Sequence, residues 1–303
     1  MPSSASHLAQ PATTLIGAGA LGQVLGRGMH NAGYPIAAVI SRTLLPAQLL
    51  ADEVTGFASD HLLDLPAATR LVVCCVPDDA LDQVADHLAM LPHEWARTTV
   101  LHTSGARTSE VWAPLQRKGA ATMSFHPMQT FAPGQPSTFK GVYFGIEGDA
   151  AACEVGETLA VALGGLPVRL ATEAKARYHL AASMASNFTV TLMALVSEVL
   201  ADTGLDRPTS AALVRPLVQQ TWTNLNQALP EDVLTGPIAR GDVDTLGLHL
   251  DALGTYLPHL LPAYAALAAE TVRVAVRGSH LSPLDAQRLL DRIHASLHPP
   301  DLL

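Results

Sequence analysis

The sequence predicts an α/β chain whose first half is a doubly wound, mostly parallel sheet and whose second half is an all-α C-terminal domain. Up to about residue 170, short apolar runs alternate with stretches in which apolar residues recur at helical spacing. Beyond about residue 172 the strand signals stop and helical patterns punctuated by Pro and Gly remain. With 303 residues, 49% hydrophobic and 15% charged, the chain can build large cores and has little charge to cover its surface. That length suits two domains, and the sparse charge suits an oligomer.

The opening "MPSSASHLAQPATT" has neither a basic start nor an apolar segment, so residues 1–12 are expected to form a short disordered leader. A sheet domain over 13–171 follows. Its apolar runs are "TTLIG" (13–17), "IAAVIS" (36–41), "RLVVCCV" (70–76), "TTVLHTSG" (98–105), "ATMSFHP" (121–127), "GVYFGIEG" (141–148) and "LPVRLA" (166–171). Between the early ones lie helical patterns such as "DDALDQVADHLAML" (78–91). A helical domain over 172–303 completes the chain, with patterns at 173–204, about 209–228, 243–256, 258–277 and 283–296.

Charge and cysteine usage narrow the function classes. The chain holds 18 Lys+Arg against 27 Asp+Glu, a formal charge of −9 with no basic run, so nucleic acid is excluded as a partner. Cys74 and Cys75 lie inside a buried-strand pattern and Cys153 stands alone, which fits a reducing compartment and no metal framework. No uncharged apolar stretch reaches the roughly 18 residues of a membrane span. A soluble cytoplasmic protein is expected.

Residues Gly17-Ala18-Gly19-Ala20-Leu21-Gly22 fit G-x-G-x-x-G directly after a strand pattern and at the opening of a helix, with a second strand at βαβ distance. Such a turn brings its second glycine against a pyrophosphate and aims a helix N-terminus at it. The alternative is a glycine-rich turn that binds no nucleotide. Where NAD-binding folds place an acid for the ribose hydroxyl, this chain has Ser41-Arg42-Thr43, and a guanidinium there pairs with a 2′-phosphate. NADP is the expected cofactor.

In a parallel sheet the carboxyl ends of strands face the ligand. Val76-Pro77 should pass beside the nicotinamide ribose, while Asp78 or Asp79 caps the next helix. The polar turn His102-Thr103-Ser104-Gly105 suits a substrate carboxylate or carbonyl, and His126 stands at the next strand end. On the first long helix, Lys175, His179 and Ser186 fall along one stripe with Ser183 and Asn187 beside it, set among alanines. Lys175 or His179 could protonate the oxygen formed when hydride reaches a carbonyl carbon. A solvated face or a packed core histidine is the plainer reading. In "TGPIARGD" (235–242), Arg240 could meet a substrate carboxylate and Asp242 cap the next helix.

The stretches "GAGALG", "VPDDAL", "LHTSGA", "SFHPMQTF", "KARYHLAASMASN" and "LTGPIARGD" together resemble Rossmann-like proteins carrying a C-terminal helical domain of unknown function, which are described as NADP-dependent oxidoreductases. The wider relatives are 6-phosphogluconate dehydrogenase-like reductases, including ketopantoate and pyrroline-carboxylate reductases. In the hydroxyacid and ketopantoate enzymes a helix lysine is followed four residues later by asparagine. Here the lysine position matches Lys175, the fourth residue on is His179, and asparagine appears at Asn187. The "FHPM" stretch resembles a motif of prephenate dehydrogenases, which would turn His126 toward the substrate.

What the resemblance implies is hydride transfer between NADPH and a small 2-oxo acid such as ketopantoate, or a cyclic imine acid. Lys175, His179 and Asn187 would then be the catalytic set, with Ser104, Gly105, His126, Ser183 and Arg240 around the substrate. It also implies a homodimer through the helical half. A deazaflavin serves similar folds, though the sequence carries no separate signal for one. The contrasting expectation is a non-catalytic NADP-binding sensor or scaffold.

Overall fold

The computed structural model describes residues 10–131 and 137–298, and the chain divides into two compact units, Met1–Asn187 and Phe188–Leu303. Residues 1–9 of the expected leader lie outside the described residues. The first unit runs β1 (Thr13–Ile16), α1 (Ala20–Asn31), β2 (Ile36–Ile40), α2 (Leu44–Val54), β3 (Phe57–Ser59), β4 (Leu71–Cys74), α3 (Leu81–Met90) and β5 (Thr99–His102). It continues with α4 (Ala113–Gln116), β6 (Ala121–Pro127), β7 (Tyr143–Gly148), α5 (Ala150–Ala162), β8 (Leu166–Arg169) and α6 (Lys175–Ser183).

The strands form one eight-stranded sheet in the order β3-β2-β1-β4-β5-β6-β7-β8, parallel throughout except where β7 runs against β6. This is the doubly wound α/β architecture the runs predict, and seven of the strands fall on those runs. The strand they do not predict is β3, a three-residue edge strand with Phe57 exposed. Too short for a periodic signal, it is held by pairing with β2 alone.

Neighbouring side chains enter opposite cores because a strand alternates faces. Leu15 and its register partner Val73 lie in the layer beneath α1, α2 and α5, whereas Ile16 and Cys74 lie in the layer beneath α3 and α4. Helices cover both faces, so β1 and β4 are buried at every residue; β4 therefore reads as an unbroken apolar run, and in β1 the buried Thr14 hydroxyl is bonded to that of Thr69 at 2.8 Å. Each fully buried aliphatic side chain, Leu25 and Leu50 among them, contributes about 1.5–3 kcal/mol. The strand order turns back at β1 and β4, and the crevice of such a sheet opens at the carboxyl ends of those two strands.

The second unit is helical, as predicted: α7 (Thr189–Asp202), α8 (Arg207–Leu225), α9 (Pro230–Val233), α10 (Val243–Tyr256), α11 (Leu261–Arg277) and α12 (Pro283–Leu297). Its core is drawn from α10, α11 and α12, with Leu246, Val272 and Leu289 among its members. Asp242 caps α10 by accepting from the Thr245 N–H, as the sequence suggests. By contrast α7 has no buried residue and α8 has only Ser210.

The units divide after Asn187, beyond the 171/172 boundary that the change of pattern predicts, because α6 is fastened to the sheet by the contacts described below. A π-helical turn, Met184–Phe188, joins α6 to α7. The helical run Thr172–Asp202 is long and apolar enough, by length and composition, to cross a membrane, with a window of mean hydropathy 1.5. This corrects the expectation that no stretch qualifies: its charges lie toward the two ends, at Glu173, Lys175 and Arg177 and again at Glu198 and Asp202, and the residues between them carry none.

Candidate functional site

The glycine turn after β1 is built as its pattern demands. Gly17 has φ +97°, and a Cβ there would lie 2.6 Å from the Cys75 carbonyl oxygen; at Gly22 it would lie 2.0 Å from the Gly17 oxygen. Those two glycines are required by the protein's own backbone. At Gly19 a Cβ would meet no protein atom within 4 Å, so nothing internal demands a glycine there. Gly19 stands at the N-cap of α1, which has neither a side-chain cap nor an acid in its first turn, leaving a partly positive helix end. Ala20, Leu21 and Gly22 form that first turn.

A cavity of about 490 Å³ opens over the turn. Gly17, Ala18, Gly19, Ser41, Arg42, Val76 and Pro77, all expected to bind cofactor, line it together. So do Asp60, Gln83 and His87, which the sequence reading does not single out. Among the described residues nothing pairs with Arg42, while the acids of α2 are engaged elsewhere. Glu53 is held by Arg27, and Asp52 accepts from Gln48 at 2.7 Å. A guanidinium with no carboxylate partner is therefore the charged group that the end of β2 presents to this cavity.

Neither Asp78 nor Asp79 caps α3, contrary to expectation. Asp78 instead accepts from the Ser104 hydroxyl at 2.8 Å, tying the turn after β4 to the turn after β5. The same hydroxyl accepts from the backbone N–H of Ala106 and of Arg107, so Ser104 is spent on holding its own loop. His102 is fully buried, with Nε2 donating to Thr108 O and Nδ1 accepting from Ser104 N–H. Its burial, with the Lys175 charge adding to the effect, pushes its pKa down to about 3. It is a structural histidine.

Lys175 points inward from the first turn of α6. It is 1% exposed, and its Nζ donates to Ser104 O at 3.0 Å and to the Ser124 hydroxyl at 2.5 Å. Burial lowers its pKa to about 8, a shift that the charges of Glu147 and Asp78 oppose. Glu147 is itself buried on β7, accepting from Ser109 N–H, Ser109 Oγ and Thr172 Oγ1. The Thr172 bond anchors the start of α6 to the sheet and so aims the lysine.

One turn along α6, His179 meets His126 over Gly105. A Cβ at Gly105 would lie 2.5 Å from His179 Nδ1 and 2.8 Å from His126 Nε2. The two rings are perpendicular, with centroids 5.9 Å apart. Among the described residues, His179 Nδ1 is buried without a hydrogen-bond partner, and the His126 ring bonds only through Nδ1, to the Tyr178 hydroxyl at 3.2 Å. Burial, with Lys175 and His179 nearby, pushes His126 down to about 4. Two imidazole nitrogens thus close over Gly105 at a distance that only a glycine allows.

Of the expected substrate and catalytic residues, the structure gathers Ser104, Gly105, His126, Lys175 and His179 in the first unit. Ser183 ends α6, Asn187 lies in the π-helical turn, and Arg240 is an exposed residue of a short turn in the second unit. Tyr178, Ser124 and Glu147 complete the cluster without having been anticipated. Tyr178 sits inside the quoted "KARYH", and Glu147 is the lone acid in an apolar strand run; those were the available signals.

Two family models match this chain. One, a Rossmann-like domain, covers residues 1–127, and the other, the domain of unknown function DUF2520, covers residues 142–271. The chain joins a Rossmann-like domain to a DUF2520 domain. The DUF2520 match begins just ahead of β7, so this domain supplies the last two strands of the sheet as well as α6 and much of the second unit.

Among solved structures, a Bacteroides fragilis protein described as a candidate NADP oxidoreductase aligns with TM-score 0.72 and 26% identity, over 86% of this chain and 98% of that one. A Thermotoga maritima protein aligns with TM-score 0.71 and 26% identity, over 88% and 99%. A reductive aminase from Aspergillus terreus, in complex with NADPH and ethyl-5-oxohexanoate, shares the fold at TM-score 0.58 and 19% identity, over 95% and 94%. No curated protein matches this chain.

Proposed function

We propose that this protein is an NADP-dependent oxidoreductase that reduces the C=O or C=N bond of a small substrate, a 2-oxo acid of the ketopantoate kind or a cyclic imine acid. The observation that carries the reading is the convergence of His126 Nε2 and His179 Nδ1 on Gly105, together with a glycine turn whose middle glycine has no internal reason to be one. The named NADP and NADPH proteins among the structural relatives support it.

The residues fit the cofactor. Gly17 to Gly22 would hold the pyrophosphate, Gly19 allowing close approach, and the unpaired Arg42 with Ser41 and Thr43 would hold a 2′-phosphate. Val76 and Pro77 would flank the nicotinamide ribose. When bound, NADPH supplies the hydride. His179 gives a proton to the reacting oxygen or nitrogen, and His126 hydrogen-bonds the same atom. Lys175 acts through Ser104, fixing the turn on which Gly105 lies. Ser183 and Asn187, farther along the same helical run, orient the rest of the substrate.

The proposed partner is a second copy of the chain, joined through the helical unit. Val190, Leu213 and Leu217 are 69%, 57% and 69% exposed on helices that bury almost nothing, and a homodimer would cover them. Light scattering of the wild type should give twice the chain mass, and Leu217→Glu should give the monomer; a monomeric wild type rejects the dimer.

The enzyme reading is tested by fluorescence titration with NADPH, followed by NADPH oxidation with 2-oxo acids, ketopantoate included, and with cyclic imine acids. Binding plus oxidation with one of these classes is expected. Tight binding without turnover on any of them would favour the sensor, and no binding of NADPH or NADH would overturn the reading altogether.

A further inference from the structure

Tyr178 precedes His179 on α6, and its ring stands perpendicular to that of His126 with centroids 5.6 Å apart. Room for it is made by Gly145, the cross-strand partner of His126, where a Cβ would lie 2.6 Å from Tyr178 Cζ and 2.7 Å from its hydroxyl. Glycines at 105 and 145 therefore clear the space around His126 for two different neighbours. One neighbour is the Tyr178 phenol, and the other is the His179 ring across Gly105.

The phenol determines where His126 keeps its hydrogen. Tyr178 Oη is 3.2 Å from His126 Nδ1 and can also donate to His126 O at 3.4 Å, so its one hydrogen has two acceptors, of which Nδ1 is the nearer. A neutral imidazole carries one N–H and one bare nitrogen, and the bare nitrogen is a better acceptor than a phenol oxygen, while a phenol is a better donor than an imidazole N–H. The Gly145 N–H also favours negative charge on the Tyr178 oxygen, although burial of the ring outweighs it and raises the phenol's pKa. The hydroxyl hydrogen accordingly goes to Nδ1, and the imidazole hydrogen stands on Nε2. That is the nitrogen facing Gly105.

We infer that Tyr178 is a positioning residue that holds His126 as the Nε2–H tautomer, so that a neutral imidazole donates a hydrogen bond to the substrate atom above Gly105 while His179 supplies the proton. During reduction the hydride forms the new C–H bond and the π pair of the C=O or C=N bond moves onto oxygen or nitrogen. The proton that completes the O–H or N–H bond leaves the imidazolium form of His179, which returns to neutral. His126 gives up nothing; its hydrogen remains on Nε2. Its low proton affinity keeps it uncharged at neutral pH, so it never presents a second donor toward Tyr178. The catalytic consequence rests on the reductase reading above, whereas the tautomer does not.

The test is nitrogen-15 NMR of histidine-labelled protein, with His126 assigned by the signals lost in His126→Gln. Long-range nitrogen–hydrogen couplings distinguish the two tautomers. The wild type should show Nε2–H at His126, and Tyr178→Phe should show a mixture. Gly145→Ala, which displaces the phenol without removing it, should give the same mixture and guards against an unfolded Tyr178→Phe. With substrate, Tyr178→Phe should lower kcat about 10- to 100-fold with KM for NADPH unchanged, the scale of losing one oriented donor. An Nδ1–H wild type, or a tautomer unmoved in both variants, overturns the assignment. A protein that keeps the Nε2–H tautomer yet reduces no carbonyl or imine overturns the functional reading instead.

Discussion

The Lys175 ammonium donates to the Ser104 carbonyl oxygen at 3.0 Å, on the residue directly before the glycine that the two histidines face. Ser124 Oγ donates to the same oxygen at 3.1 Å, so removing the lysine leaves that carbonyl bonded. Lys175→Met should therefore fold with little loss of stability, since it also removes a charge that burial penalises. Activity should fall about 100-fold, because small misplacement of a reacting geometry is costly. The wild-type rate should break near pH 8, where the ammonium is lost, and the variant should show no such break. A variant with full turnover would remove Lys175 from the machinery.

Gly105→Ala addresses the site more directly. Its methyl would lie 2.5 Å from His179 Nδ1 and 2.8 Å from His126 Nε2, so it must push the two rings apart. Turnover should drop at least about 100-fold, the scale of losing acid–base assistance. NADPH affinity should stay within about twofold, because Gly105 is not among the residues lining the cofactor cavity. Titration and steady-state kinetics on one preparation measure both quantities. Equal losses in affinity and turnover would place the methyl's effect outside the substrate space.

Much of this was legible in the sequence, and the limits have physical causes. Gly17 and Gly22 could be read because a tight turn and close helix packing demand glycine at fixed spacing. The paired strand ends at 102–105 and 126 could be read because parallel strands place their carboxyl ends along one edge. What local pattern cannot carry is which way a polar side chain turns. Lys175 and His179 share a stripe, yet one is sealed inside against Ser104 and the other faces His126, and that difference is set by partners some 50 to 70 residues away. Asp78 looked like a helix cap because its position suits one, but the Ser104 hydroxyl holds it instead. β3 is missing from the sequence reading because three residues cannot establish a period.

The buried histidines predict acid sensitivity. His126 titrates near 4 and His102 near 3 in the folded protein, against about 6.5 when unfolded. Between those values the unfolded chain binds more protons, so stability falls as pH is lowered from 6.5 toward 4. The His126 contribution to that loss is about 3 kcal/mol. Urea unfolding at pH 7, 5.5 and 4 should give a steeper decline for the wild type than for His126→Gln. Parallel curves for the two proteins would show that His126 protonates freely in the fold.

Arg42 carries the choice between cofactors. It lines the cavity at the end of β2 with no partner among the described residues, and the nearby acids Asp52 and Glu53 are already bonded to Gln48 and Arg27. A hydrogen bond to a charged group contributes about 1.5–3 kcal/mol, so Arg42→Ala should weaken NADPH binding about 10- to 100-fold. NADH lacks the 2′-phosphate and should bind both proteins alike. Added salt should weaken NADPH binding to the wild type more than to the variant, because the lost contact is an ion pair at an exposed residue. Equal loss of both cofactors in Arg42→Ala would mean that the guanidinium supports the cavity wall rather than reading a phosphate, and the preference would then have to come from Ser41 or Thr43.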